Sequence, residues 1–263
     1  MPFFDANGFR IHYSETSNSA PEDIIFLHGN LGANIWWEPT EKAWMQGATG
    51  RKSLIFMEWR GSGQSQGPNQ ESDLHMENLA DDVVTLAELR GGNVNLVGHS
   101  TGGLIAILAM AKRPDLFRKA VLLDPVGAKG IHFGPELLSA FKAMQINREL
   151  CATVILSTIQ SGLHNQKLKE KIVNSAFGIH ALNWLGILHA LDGVDYEAEI
   201  EKIPNAVLVL HGEQDVLLPK VDSVRMAELL PNGKFIEIPR RGHCTNLEDP
   251  ALFTEITRSF LFG

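Results

Sequence analysis

Residues 94–107 read VNLVGHSTGGLIAI and set a geometric problem. VNLV is a short, mostly apolar run of the kind that forms a strand buried on both faces of a sheet. LIAI opens a longer apolar segment, to Lys112, that reads as a helix. Between them lies Gly98-His99-Ser100-Thr101-Gly102, a G-x-S-x-G pattern. A chain that leaves a strand and enters a helix within so few residues must turn sharply. A side chain at either flanking glycine would collide with neighbouring backbone. Such a turn lifts the Ser100 hydroxyl above the sheet and aims the free N–H groups of the helix start at the space beside it. A surface serine has no use for this geometry, whereas a nucleophile does.

The same strand-then-helix rhythm extends outward in both directions. FFDA and FRIHYSE flank Asn7-Gly8, a pair suited to a tight hairpin turn. DIIFLHG and KSLIFMEWRGSGQS are buried-strand patterns that end in glycine loops, and WWEPTEKAW suits a helix. ESDLHMENLADDVVTLAELR places Leu79, Val83, Leu86 and Leu89 at helical spacing. KAVLLDPVG is another strand, and the rhythm returns with NAVLVLHGEQD, VDSVRMAELL, KFIEIPRRGH and DPALFTEITRSFLF. The expected fold class is α/β, with a mostly parallel central sheet flanked by helices on both faces. From Gly127 to Glu201 the pattern holds no clear strand, only the helical segments ELLSAFKAM, ELCATVILSTI, LKEKIVNSAF and HALNWLGILHAL. A single crossover helix needs far less chain. The expected organisation is a core of residues 1–126 and 202–263, with a helical lid inserted at 127–201.

The predicted strand ends carry His28-Gly29-Asn30, Glu58, Ser100, Asp124 and Asp215, and ligands bind at that edge of open α/β sheets. A serine hydroxyl needs a general base, and the base needs an orienting acid. His243, after the strand KFIEI, is the candidate base. Asp215, after VLVLHG, is the favoured acid, giving the order Ser100, Asp215, His243. Asp124 also ends a strand and is the rival acid, or an anchor for the start of the insertion. His28, His99 and His211 read as loop-holding or packing residues.

With these residues in place, the sequence resembles the α/β-hydrolase-fold proteins over nearly its whole length outside the insertion. The resemblance is carried by His28-Gly29, Arg60-Gly61-Ser62-Gly63-Gln64-Ser65, the GHSTGG turn, Gly212-Glu213-Gln214-Asp215 and Gly242-His243. It implies an oxyanion hole from the backbone N–H groups of Thr101 and Asn30, with Leu31 as the alternative to Asn30. Glu58 stands where the family often has Asp, and Ser62 where it often has an aromatic residue or His; both departures concern loop packing. Asn30 resembles a halide-binding position of haloalkane dehalogenases, but those enzymes need a carboxylate nucleophile, and this chain has Ser100.

The bulk composition is that of a globular protein: 263 residues, 44% hydrophobic and 21% charged. A net charge of −8 argues against binding nucleic acid or an anionic membrane through a basic patch. No apolar run is long enough to span a membrane, and the N-terminal residues lack a signal-peptide pattern. Cys151 and Cys244 are expected as free thiols in a reducing cytoplasm. No Cys/His spacing matches a zinc site, and the chemistry needs no metal or organic cofactor. The expected partner is a small-molecule substrate, and oligomeric state has no signature in the sequence.

The expected activity is hydrolysis of a small- to medium-sized carboxylic ester or lactone through an acyl-enzyme on Ser100. A thioester, a C–C bond, or ligand reception without turnover are the alternatives. Trp36, Trp37, Phe133, Phe141 and Trp184 are the expected apolar substrate-binding residues.

Overall fold

The computed structural model describes residues 2–16, 22–46, 53–160 and 163–263. The N-terminal hairpin is β1 (Phe3–Ala6) and β2 (Phe9–Glu15), paired antiparallel with Ala6 opposite Phe9. Asn7 (φ 51°) and Gly8 (φ 84°) both take the positive φ that a two-residue turn requires. The remaining strands are β3 (Asp23–Leu27), β4 (Ser53–Met57), β5 (Val94–His99), β6 (Phe117–Leu123), β7 (Ala206–Gly212) and β8 (Gly233–Ile238). Among the described residues the sheet runs β1-β2-β4-β3-β5-β6-β7-β8. From β3 to β8 every pairing is parallel, while β2 lies antiparallel against β4.

The chain starts this parallel sheet at β3, steps outward to β4, then returns to lay β5 on the other side of β3. Loops leaving β3 and β5 therefore part in opposite directions and open a crevice at the strand C-termini. The His28-Gly29-Asn30 loop and Ser100 sit there.

Alternate side chains of each buried strand feed two core layers. Ile25 and Leu27 of β3 join the layer that holds α2 (Met76–Leu89) and α3 (Thr101–Lys112). Ile24 and Phe26 join Trp44 of α1 (Glu38–Gln46) and Phe253 and Leu261 of α11 (Pro250–Phe262) on the other face. Each such fully buried side chain contributes about 1.5–3 kcal/mol. Helix α3 is buried from Thr101 through Met110, because α2 covers the side turned away from the sheet. Leu79, Val83 and Leu86 pack as their spacing predicts, but Leu89 ends α2 and is exposed. The predicted helix over ESDLHMENL is two pieces, a 3-10 turn at Glu71–Leu74 and then α2, with His75 extended between them.

Between β6 and β7 lie α4 (Pro135–Ile146), α5 (Arg148–Ser157), α6 (Gln166–Phe177), α7 (Asn183–Leu191) and α8 (Glu197–Ile200), with no strand among the described residues. The first four match the predicted helical segments, and the short α8 is an addition. Met144, Cys151, Ile172 and Trp184 form one apolar cluster with Leu31 and Trp36, which follow β3. The helices are thereby packed directly onto the loop beside Ser100. Helix α9 (Lys220–Leu229) and the short α10 (Thr245–Glu248) complete the elements. Both cysteines are buried free thiols, and no helix of the described residues is long and apolar enough to cross a membrane.

Candidate active site

The turn after β5 has the geometry that the sequence demands. Ser100 takes φ 55°, ψ −123°, a strained backbone for a residue with a side chain. A Cβ on Gly98 would lie 2.4 Å from the Gly102 carbonyl oxygen, and one on Gly102 would lie 2.4 Å from that of His28. The strain is held by backbone bonds: the Ser100 N–H donates to Leu123, and the Ser100 carbonyl accepts from Gly103 and Val126.

Asp215 and His243 are brought together from the ends of β7 and β8. His243 Nδ1 lies 2.7 Å from Asp215 Oδ2, and Asp215 Oδ1 accepts from the N–H groups of Leu217 (2.7 Å) and Leu218 (3.3 Å). Burial works against charge on Asp215, but His243 and these two amides outweigh it and hold the carboxyl below its usual pKa. An ionised Asp215 fixes the proton of His243 on Nδ1 and leaves Nε2 as the lone-pair face. Ser100 and His243 line the same cavity and are not hydrogen-bonded to each other. Such bonds commonly tighten only when substrate is bound.

Two further histidines hold this site, and both are neutral. His99 Nε2 sits 2.9 Å from the His243 carbonyl, which can only accept, so Nε2 carries the proton. By the same logic His28 donates from Nδ1 to Gly29. Burial lowers His28 to about 4, and burial with the neighbouring His243 lowers His99 to about 3. An unfolded histidine titrates near 6.5. Between these values the unfolded chain binds more protons than the folded one, so stability rises with pH. The melting temperature is expected to fall as pH drops from about 6.5 towards 4. The fall should be shallower in His28→Asn, whose amide can replace the Nδ1 donor. Thermal melts across that window check this, and parallel slopes for the two proteins would contradict it.

Other partners carried no sequence signal. Buried Glu248 accepts from the N–H of Gly242 (2.8 Å) and of Gln160 (3.1 Å), and the Gln160 side chain donates to the Gln214 carbonyl (2.5 Å). A residue of the helical stretch thus clasps the loops of both Asp215 and His243. Glu58 is a loop-packing residue, as its departure from the family pattern suggests. It pairs with buried His12 at 2.7 Å and accepts from the N–H groups of Asn34 and Gln64.

The cavity measures 260 Å³. Asn30, His99, Ser100, Thr101, Thr158 and His243 are the polar residues that line it. The Leu31 N–H is already bonded to Asn30 Oδ1, whereas those of Asn30 and Thr101 donate to nothing among the described residues. Trp36, Phe133 and Phe141 line the apolar walls. Trp37 and Trp184 do not, contrary to expectation. Trp37 follows Trp36 in a 3-10 turn that sends it to the opposite side, against Phe26 and Phe253. Trp184 is consumed by packing among the helices between β6 and β7. No Asp, Glu, Lys or Arg lines the cavity among the described residues. Ligand atoms of Asp124, Asp215 and His243 lie within 4.8 Å of one another, and within this group His243 Nδ1 is bonded to Asp215 Oδ2.

Comparison with known proteins bears on the fold. The candidate carbamate hydrolase RutD of Caulobacter segnis is 26% identical, over 93% of each chain. Among solved structures, the enol-lactonase from Burkholderia xenovorans LB400 superposes with a TM-score of 0.84 at 20% identity, over 100% of both chains. The esterase EaEST from Exiguobacterium antarcticum gives 0.85 at 19% identity, over 99% of both. The family model for the alpha/beta hydrolase fold matches residues 24–250, from the first parallel strand to the start of the last helix. The chain belongs to the α/β-hydrolase fold family.

Proposed function

We propose that this chain is a serine hydrolase that cleaves an uncharged carboxylic ester or lactone with an apolar acyl part. One observation carries the reading: the cavity that holds Ser100 and His243 is lined mostly by apolar side chains and by no Asp, Glu, Lys or Arg among the described residues. A charged substrate would lose its hydration there without gaining a partner. Carbamate is the substrate class in the name of RutD, and by the same argument only an uncharged carbamate would suit this cavity.

The proposed steps are these. His243 Nε2 takes the Ser100 proton as Oγ attacks the carbonyl carbon. Asp215 stabilises the imidazolium that forms. The N–H groups of Asn30 and Thr101 receive the oxyanion, and losing one such donor would cost about 10²–10³ in rate. His243 then protonates the leaving oxygen, and the acyl group remains on Ser100. Water, deprotonated by His243, releases it as the acid.

The test is steady-state hydrolysis of p-nitrophenyl esters of increasing acyl length. The expected optimum lies at short to medium chains. Phe141→Ala should move it to longer ones by opening the wall. Absence of turnover by the folded protein across esters and lactones would overturn the proposal, and saturable binding without turnover would replace it with ligand reception.

A further inference from the structure

The mechanism leaves one group of the site without a role. Asp124 is fully buried, at the end of β6, with a left-handed backbone (φ 42°). Its neighbour in the sheet is β7, and its own N–H donates to Leu210 there. That pairing brings its side chain near Asp215. Asp124 Oδ1 accepts from the Gly212 N–H at 2.8 Å. Oδ2 is buried and has no donor facing it. A carboxyl oxygen of Asp124 and one of Asp215 lie within 4.8 Å of each other, and the charge of Asp215 bears on Asp124.

Two carboxylates this close resist ionising together in a buried site. The surroundings decide which one holds the proton. Asp215 has three N–H donors, from His243, Leu217 and Leu218. Asp124 has one, and no Lys or Arg pairs with it among the described residues. His211 Nδ1 lies 3.2 Å from its Oδ1 but is also within 3.0 Å of Ser223 Oγ, and burial keeps that imidazole neutral by lowering its pKa. The other ionisable groups bearing on Asp124 are Glu248, which adds negative charge, and the buried thiol of Cys244. Burial and then Asp215 push the Asp124 carboxyl well above its usual range.

We propose that Asp124 is a neutral carboxylic acid at pH 7 that donates its Oδ2–H to the Asp215 carboxylate. It is a positioning residue that acts through Asp215. The added donor holds the carboxylate rotated so that Oδ2 faces His243, and it does so without a second negative charge beside the imidazole. The rivalry between two strand-end acids thus resolves into a division of labour: one is the anion and the other its donor.

The kinetic consequence rests on the serine-hydrolase reading; the proton itself does not, so a spectroscopic test comes first. The difference infrared spectrum of wild type minus Asp124→Asn at pH 7 should show the carbonyl band of a protonated carboxylic acid. A carboxylate band in its place would overturn the proposal, whatever the substrate. If Asp124→Asn does not fold, Asp124→Ser supplies the same difference.

Kinetics then tests the positioning role. Asp124→Ala should lower kcat on the order of 10–100-fold. Asp124→Asn, whose amide can donate in place of the O–H, should restore most of that loss. Its acid limb in the pH profile should coincide with that of wild type, because a neutral group has replaced a neutral group. Were Asp124 an anion, its removal would take away a negative charge that favours the imidazolium, and the limb would move to lower pH. That shift, or failure of Asn to rescue, would refute the role.

Discussion

Ser100→Ala is expected to abolish ester turnover while leaving the fold intact. The turn is strained because a residue with a Cβ sits at φ 55°, and alanine carries the same Cβ. The backbone bonds that hold the turn do not involve the hydroxyl. Stability should therefore change by less than about 1 kcal/mol, within the range of a substitution that removes no buried contact. The chemistry has no substitute. Without Oγ no acyl-enzyme forms, and loss of the nucleophile from a triad costs on the order of 10⁶ in kcat. A remnant about 10³–10⁴ above the uncatalysed rate should persist, because the oxyanion donors and the pocket remain. Initial rates beside thermal melts of both proteins check this. A variant that melts like wild type and hydrolyses at the wild-type rate would place the reaction elsewhere. A variant that no longer folds would show that the hydroxyl has a structural role.

The parts of this site that were legible in the sequence are those governed by local sterics. The glycines around Ser100 announce a close backbone approach, and such an approach leaves few alternatives to glycine. Asn7-Gly8 announces a two-residue turn, since both positions take positive φ. Acids and a histidine at strand ends point to the sheet edge, because parallel strands all deliver their ends to one side. What could not be read depends on which side of a turn a residue falls. Trp36 and Trp37 are adjacent and equally apolar, yet one lines the cavity and the other packs on Phe253. Trp184 follows helical spacing that is the same whether its face meets the cavity or a neighbouring helix. Glu248 and Gln160 are ordinary polar residues in sequence; only the approach of distant segments makes them a clasp. The closeness of Asp124 to Asp215 follows from β6 and β7 being adjacent in the sheet, an order that no local pattern specifies.

Asp215→Asn should cost about 10⁴ in kcat with little change in KM. The structure supplies the reason atom by atom. Asp215 Oδ1 is gripped by the N–H groups of Leu217 and Leu218, which must keep an acceptor there. The asparagine oxygen will take that position and turn the amide N–H₂ towards His243. A donor facing Nδ1 forces the imidazole proton onto Nε2, the edge needed as the base towards Ser100. The site would keep its shape and lose its base, so binding should survive while turnover fails. The neighbouring acid makes the result discriminating. If Asp124 were the orienting acid, Asp215→Asn would be mild, within about tenfold of wild type, and Asp124→Asn would be the inert variant. The expected pattern is the reverse, because the 2.7 Å contact with His243 belongs to Asp215, while Asp124 reaches the imidazole only through it. Measuring kcat and KM for the two variants side by side therefore assigns the anion of the triad.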